Sequence, residues 1–150
     1  MKVMVRLATG EDAGTIAEFN VAMAQETEEK ALDPSTIIEG VAAGLSDPAR
    51  GSYYLAEAGG EPAGCLLITL EWSDWRNGWF WWIQSVYVAP KFRRHGVYSK
   101  MYNHVRSEAR AADNVVGFRL YVEVENETAQ ATYRAMGMEE SRYRMFEALL

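Results

Sequence analysis

Between Tyr53 and Val88 the chain passes through three apolar, aromatic and β-branched segments broken only by turn residues, and this stretch restricts the fold more than any other. Tyr53 to Glu57, Ala63 to Leu70 and Trp79 to Val88 read as strands, because such side chains fill a pleated, half-buried surface. Gly59-Gly60 joins the first two as a tight hairpin. The polar and aromatic connection Glu71 to Gly78 precedes the third, and its Asn77-Gly78 fits a turn.

The flanks read mostly as helices. Val3, Val5 and Leu7 alternate as in a short strand, and Thr9-x-x-Asp12 resembles a capping box. The helix it opens would carry Ala13, Ile16, Phe19, Val21 and Met23 and end in Glu26, Glu28 and Glu29. Asp33-Pro34 starts a second helix through Ile37, Ile38, Val41 and Leu45, which Ser46-Asp47-Pro48 stops. After the central strands, Gly96 to about Ala112 has helical spacing at Met101, Val105 and Ala109. Phe118 to Val124 reads as a strand, Asn126 to Met136 as a helix stopped by Gly137, and Tyr143 to Leu149 as a closing strand. The order β-α-α-β-β-β-α-β-α-β belongs to an α/β (α+β) mixed sheet with helices on both faces. No linker or repeat divides the 150 residues, so one domain over 1–150 is expected.

Composition narrows the function. Fifteen Lys and Arg against 21 Asp and Glu leave a net charge of −6, which argues against a nucleic-acid partner. No run approaches the roughly 20 apolar residues of a membrane span, and the opening MKVMVRLATGED lacks a signal-peptide core, so a cytoplasmic protein is expected. A single cysteine, Cys65, allows neither an internal disulfide nor a thiol-based metal site, and its apolar setting suits packing. No metal is expected.

The chemistry concentrates where the third central strand ends. Val86-Tyr87-Val88-Ala89-Pro90-Lys91-Phe92-Arg93-Arg94-His95-Gly96-Val97-Tyr98-Ser99 runs from an apolar strand through basic residues into a helix. Helix N-termini leave amides without partners and carry partial positive charge, so a phosphate there gains hydrogen bonds and dipole stabilisation together. Gly96 permits close backbone approach, and Arg93, Arg94 and His95 reverse the sign of an otherwise acidic chain. On its own, a basic loop before a helix also fits a solvated helix start.

Arg93-x-x-Gly96-x-Tyr98 after Val86-Tyr87-Val88 resembles the [Q/R]-x-x-G-x-[G/A] acetyl-CoA signature of the GNAT N-acetyltransferase superfamily. Asn126-x-x-Ala129-x-x-x-Tyr133-x-x-x-Gly137-Met138 is similar to a second run of that family, and the order of elements matches its fold, with a mostly antiparallel central sheet. Tyr98 departs from the usual Gly or Ala. The resemblance implies acetyl-CoA as cosubstrate and transfer to a primary amine of a small molecule, peptide or protein. It implies that Val86, Tyr87 and Val88 hold the pantetheine arm and thioester, and that Arg93, Arg94, His95, Gly96, Val97, Tyr98 and Ser99 cradle the pyrophosphate. Asn126 and Ala129 would fix the arm, and Tyr133 would donate to the CoA sulfur. Each has a bland alternative: Val86 and Val88 as core, Asn126 as a helix cap, Tyr133 as an amphipathic packing residue.

Amine acylation needs a neutral amine, and a lysine-like group of pKa about 10.4 is neutral in about one molecule in 2,500 at pH 7. The family often carries a glutamate on the strand before the CoA loop, yet Trp81-Trp82-Ile83-Gln84-Ser85 contains no carboxylate. Replacements by position are Glu71 and Asp74, Glu26 and Glu28, and Glu123, with Glu26 and Glu71 preferred because both elements should border the acceptor cleft; surface charge is the alternative for each. Trp72, Trp75, Trp79, Trp81 and Trp82 crowd one hairpin, with Trp79 and Trp81 on the strand face opposite Phe80 and Trp82. Core packing with a homodimer contact would explain them, as would an aromatic pocket for a cationic amine. His104 reads as a surface or packing residue. The competing function is a non-catalytic module that senses acyl-CoA.

Overall fold

The computed structural model describes residues 1–150 and contains five strands and four α-helices: β1 (Val3–Leu7), α1 (Ala13–Glu28), α2 (Pro34–Ser46), β2 (Ser52–Ala58), β3 (Glu61–Ser73), β4 (Gly78–Val88), α3 (Val97–Ala111), β5 (Val115–Arg119) and α4 (Glu127–Ala135). The strands lie in sequence order in one sheet, antiparallel except for the parallel pair β4–β5. The mixed, mostly antiparallel sheet expected from the sequence is formed.

Local signals account for most boundaries. Gly59 and Gly60 both take positive φ, 60° and 82°, as a two-residue hairpin turn of matching twist requires. Asn77 at φ 51° turns β3 into β4. At the first junction the Thr9 amide donates to Asp12 Oδ2 at 2.7 Å, and Arg6 donates to both Asp12 oxygens at 2.8 and 3.0 Å, tying β1 to the start of α1. Asp33 Oδ2 accepts from the Thr36 amide at 2.9 Å with Pro34 in the first turn, so α2 begins as its sequence dictates.

Strand alternation gives the sheet two apolar faces. Leu66, Ile68 and Ile83 pack with Met101 and Val105 of α3, while Leu55, Cys65 and Tyr87 pack with Ile16 of α1 and Val41 of α2. Cys65 is fully buried and burial pushes its thiol up to about 12, which makes it a packing residue and a poor nucleophile. Along α1 the buried face is Ile16, Ala17, Asn20 and Ala24, whereas Val21 faces outward.

Two expected strands differ. Val115–Arg119 forms β5, and the stretch expected as strand continues unpaired beyond Arg119 to Val124. The cause lies in β4: its pairing with β5 covers only Trp79 to Trp82, so residues past Arg119 have no ladder to join. The closing strand expected over Tyr143–Leu149 does not form either; no backbone group of residues 139–150 enters a backbone hydrogen bond.

Candidate active site

Opposite Leu66, β4 carries one residue too many. Cys65 pairs with Tyr87 but Leu67 pairs with Gln84, so Ser85 and Val86 share one partner and Ser85 is forced to φ 52°. The bulge bends β4 just where β5 has stopped pairing with it, which opens a wedge in the sheet beside Val86 and Val88. Val86 and Val88 also pack against the α3-side core, so their side chains are structural and only their backbone edges face the wedge.

From the wedge the chain enters a 3-10 turn, Pro90–Phe92, anchored by the Ala89 amide on Ala63 O at 2.8 Å and by buried Phe92. It then takes left-handed conformations at Arg94, φ 65°, and at Gly96, φ 75°, before α3 begins. None of the amides from Arg94 to Ser99 donates to a protein acceptor, and Gly96 caps α3 without a side chain. A Cβ at Gly96 would meet no atom within 4 Å, so the space before these amides is open. The donors, the dipole and the exposed Arg94 and His95 suit a diphosphate. Val97 is buried and offers only its amide, while the Ser99 hydroxyl contacts Met136 Sδ at 3.6 Å.

Arg93 turns the other way. Its Nε donates to Val88 O at 2.8 Å, its NH2 group pairs with Glu26 Oε2 at 2.7 Å, and its guanidinium lies 5.4 Å from the Tyr87 ring. Tyr87 in turn donates to Glu26 Oε1 at 3.2 Å. Glu26, at the end of α1, is thereby brought to the wedge, a proximity that sequence separation conceals.

Tyr98 folds inward. Its ring packs at 6.1 Å from Tyr102 and 5.7 Å from Tyr133, away from the open amides, so the side chain at the usual Gly/Ala position does not obstruct the cradle. Its hydroxyl is buried and unpartnered, and burial raises its pKa. Burial raises Tyr133 as well, keeping its hydroxyl protonated at neutral pH and able to donate. Asn126 does cap α4: Oδ1 accepts from the Ala129 amide at 3.1 Å, which leaves its Nδ2 group as the one it can offer a ligand.

On the α1 side of the sheet, Glu71 accepts from Trp82 Nε1 at 2.9 Å and from Arg119 at 2.8 Å, and these donors lower its pKa. The Arg119 guanidinium stacks 3.7 Å from the Phe80 ring, and Tyr121 approaches Trp82 at 6.2 Å. The sequence did not single out Arg119, whose register opposite Trp82 only the fold shows. Asp74 and Glu123 accept from the nearby amides of Trp75 and Glu125 and serve their own turns. Glu28 is exposed at the end of α1. His104 packs edge-on against Tyr54 at 5.7 Å, away from the wedge, as a packing residue would. Of the tryptophans, Trp72 packs on Trp79 at 4.9 Å and Trp81 on Phe118 at 6.2 Å, while Trp75 is exposed.

The sequence pattern of the acetyltransferase (GNAT) family matches residues 16–138. The chain belongs to the GNAT acetyltransferase family. This family uses acetyl-CoA. A "possible acetyltransferase" from Clostridium difficile 630 is 41% identical, with a TM-score of 0.92 and coverage of 100% of this chain and 99% of that one. A ribosomal-protein-alanine N-acetyltransferase from Brucella melitensis biovar Abortus 2308 shares the GNAT fold at 13% identity, TM-score 0.79 and 99% coverage of both chains. So does a "predicted acetyltransferase" from Clostridium acetobutylicum solved with acetyl-CoA, at 14% identity and TM-score 0.79, covering 98% of this chain and 96% of that one. Among curated proteins, none matches the chain in sequence. No helix is long and apolar enough to cross a membrane, and no group of His, Cys, Asp or Glu residues is arranged to hold a metal.

Proposed function

We propose that this GNAT domain, spanning residues 1–150, is an N-acetyltransferase that moves the acetyl group of acetyl-CoA to a primary amine by direct attack in a ternary complex, acting in the cytoplasm as a homodimer. The observation that carries this reading is the row of unpartnered amides from Arg94 to Ser99 at the mouth of the β4 wedge. Those amides, with Arg94 and His95, hold the diphosphate. The backbone edges of Val86 and Val88 and the Nδ2 group of Asn126 hold the pantetheine arm. Acetyl-CoA supplies a thioester activated toward nitrogen.

The chain's task is then to manage two protons. Deprotonating an ammonium of pKa 10.4 at pH 7 costs about 4.6 kcal/mol, and β4 provides no carboxylate for it. Glu71 stays ionised and weakly basic between Trp82 and Arg119, so it serves to fix the acceptor wall. Glu26, held beside the wedge by Arg93 and Tyr87, is the proton acceptor, reached through water. With Glu26 and the rings of Trp82 and Tyr121 on that side, a cationic amine is favoured. At the other end Tyr133 donates a hydrogen bond to the departing sulfur. Full transfer is uphill, because a thiol of pKa about 8.5 is already more acidic than an ordinary tyrosine and burial widens the gap.

The test follows free thiol while the purified protein meets acetyl-CoA and a panel of primary amines. Sustained release that requires an amine is expected. Tyr133→Phe should lower kcat about tenfold to a hundredfold, below most of the range for full proton assistance because only a hydrogen bond is lost, with little change in the KM for acetyl-CoA. Saturable acetyl-CoA binding without turnover across the panel would instead establish the sensing module.

A further inference from the structure

Along the sheet face that carries Glu71, charge changes sign. Thr69 and Glu71 of β3 share this face with Phe80, Trp82 and Gln84 of β4, and all but Phe80 reach solvent. At its hairpin end two guanidiniums gather on one ring: Arg119 lies 3.7 Å and Arg76 5.0 Å from the centroid of Phe80. A single carboxylate meets them. Glu71 Oε1 accepts from NH1 of Arg119 and from Trp82 Nε1, which leaves Nε and NH2 of Arg119 without a protein acceptor, on a side chain that is 29% exposed. Arg76 donates to the Ser73 hydroxyl at 3.3 Å, and Asp74 is turned onto the Trp75 amide. Two guanidiniums against one carboxylate leave a positive charge uncompensated, and planar donors open in this way suit an oxygen anion.

Toward the wedge the face turns neutral and then negative. Gln84 donates to Thr69 Oγ1 at 2.6 Å beyond the Trp82 ring, and Glu26 stands past them on the Tyr87 hydroxyl. Trp82, opposite Arg119, and Val86, at the wedge, are separated by strand that includes the extra residue of the bulge. About three strand steps therefore part the two ends, roughly 10 Å.

We propose that the acceptor is an amine carrying a carboxylate roughly 10 Å from its nitrogen, with the ammonium toward Glu26 and the carboxylate on Arg119 and Arg76. This substrate class rests on the N-acetyltransferase reading above and adds to it the far end of the acceptor. An α-amino acid, with nitrogen and carboxylate on one carbon, is too short to meet both ends. An ω-amino acid of about eight bonds, advancing roughly 1.2 Å per bond, spans them. A diamine of that length would bring a second cation against the guanidiniums, and an alkylamine would leave them unmatched.

Free-thiol release with acetyl-CoA should be compared for three amines of equal length: ω-aminooctanoate, octylamine and octanediamine. The kcat/KM of aminooctanoate should exceed that of octylamine about tenfold, the worth of a charge-assisted hydrogen bond, with the diamine slowest. Arg119→Gln should slow aminooctanoate until it and octylamine differ by no more than about twofold. Arg76→Gln, at an exposed position, should narrow the preference several-fold and decides the matter if Arg119→Gln fails to fold. Equal rates for aminooctanoate and octylamine in the wild type, or a preference undiminished in the folded variants, would overturn the carboxylate subsite and leave amine acetylation standing. If none of the three is acetylated, calorimetry of aminooctanoate with the CoA-bound protein decides the subsite separately from transfer: binding that Arg119→Gln weakens supports it, and an absence of binding overturns it.

Discussion

A hydroxyl buried without a partner loses hydration and gains nothing, at a cost of about 1–3 kcal/mol. Tyr98 is in that position between Tyr102 and Tyr133, on the helix whose first turn presents the open amides. Removing the oxygen should therefore help the protein and leave the open amides untouched. Tyr98→Phe is expected to raise the melting temperature in the absence of ligand, equivalent to about 1 kcal/mol, and to leave the further rise on adding acetyl-CoA unchanged, read by thermal melts with and without acetyl-CoA. A lower melting temperature for the free variant would show that the hydroxyl has a partner after all. The residue type at position 98 was visible in the sequence as a departure from the GNAT pattern. Its direction was not, since the rotamer is fixed by Tyr133, which lies on another helix.

Among the elements, the β1–α1 junction is bound most explicitly, through Arg6, Asp12 and the Thr9 amide. The Arg6 guanidinium holds the Asp12 carboxyl below its usual range, so the unfolded chain binds that proton more readily than the folded one. The stabilisation is present above the ordinary carboxylate range and is lost as pH falls through the depressed folded value. Asp12→Asn should cost about 1 kcal/mol at pH 7, discounted for the exposure of Arg6, with the difference shrinking in acid; urea melts at pH 7 and pH 3 check it. Capping signals like this one, the Gly59-Gly60 turn and Asp33-Pro34 were legible because their physics is local. The bulge at Ser85 was not, because it exists only in the register of β4 against β3. For the same reason Tyr143–Leu149 reads as a strand yet stands unpaired: alternation records a preference for burial, while a ladder needs an edge to join. In the site, the amide cradle followed from the motif, but the Glu26–Arg93 and Glu71–Arg119 pairs join residues far apart in sequence and needed the fold.

At the scale of the whole molecule, a chain of net charge −6 gathers Arg94 and His95 around the open end of one helix and aims that end at a break in its sheet. Termination of β5, the bulge in β4 and the left-handed turn before α3 all occur at this place, so three departures from regular structure serve one opening. Gly96 is the position where the claim is most exposed, since its φ of 75° suits Asp as well as any non-glycine residue and a Cβ there meets no protein atom. Gly96→Asp costs about 1 kcal/mol of backbone strain but meets no clash, and it places an anion before the open amides, with circular dichroism checking the fold. Calorimetric titration of acetyl-CoA should show saturable binding to the wild type and at least a hundredfold loss in the variant, about 2.7 kcal/mol. Equal affinity in the two proteins, or no heat with either, would contradict the assignment of these amides as the cofactor's anchor.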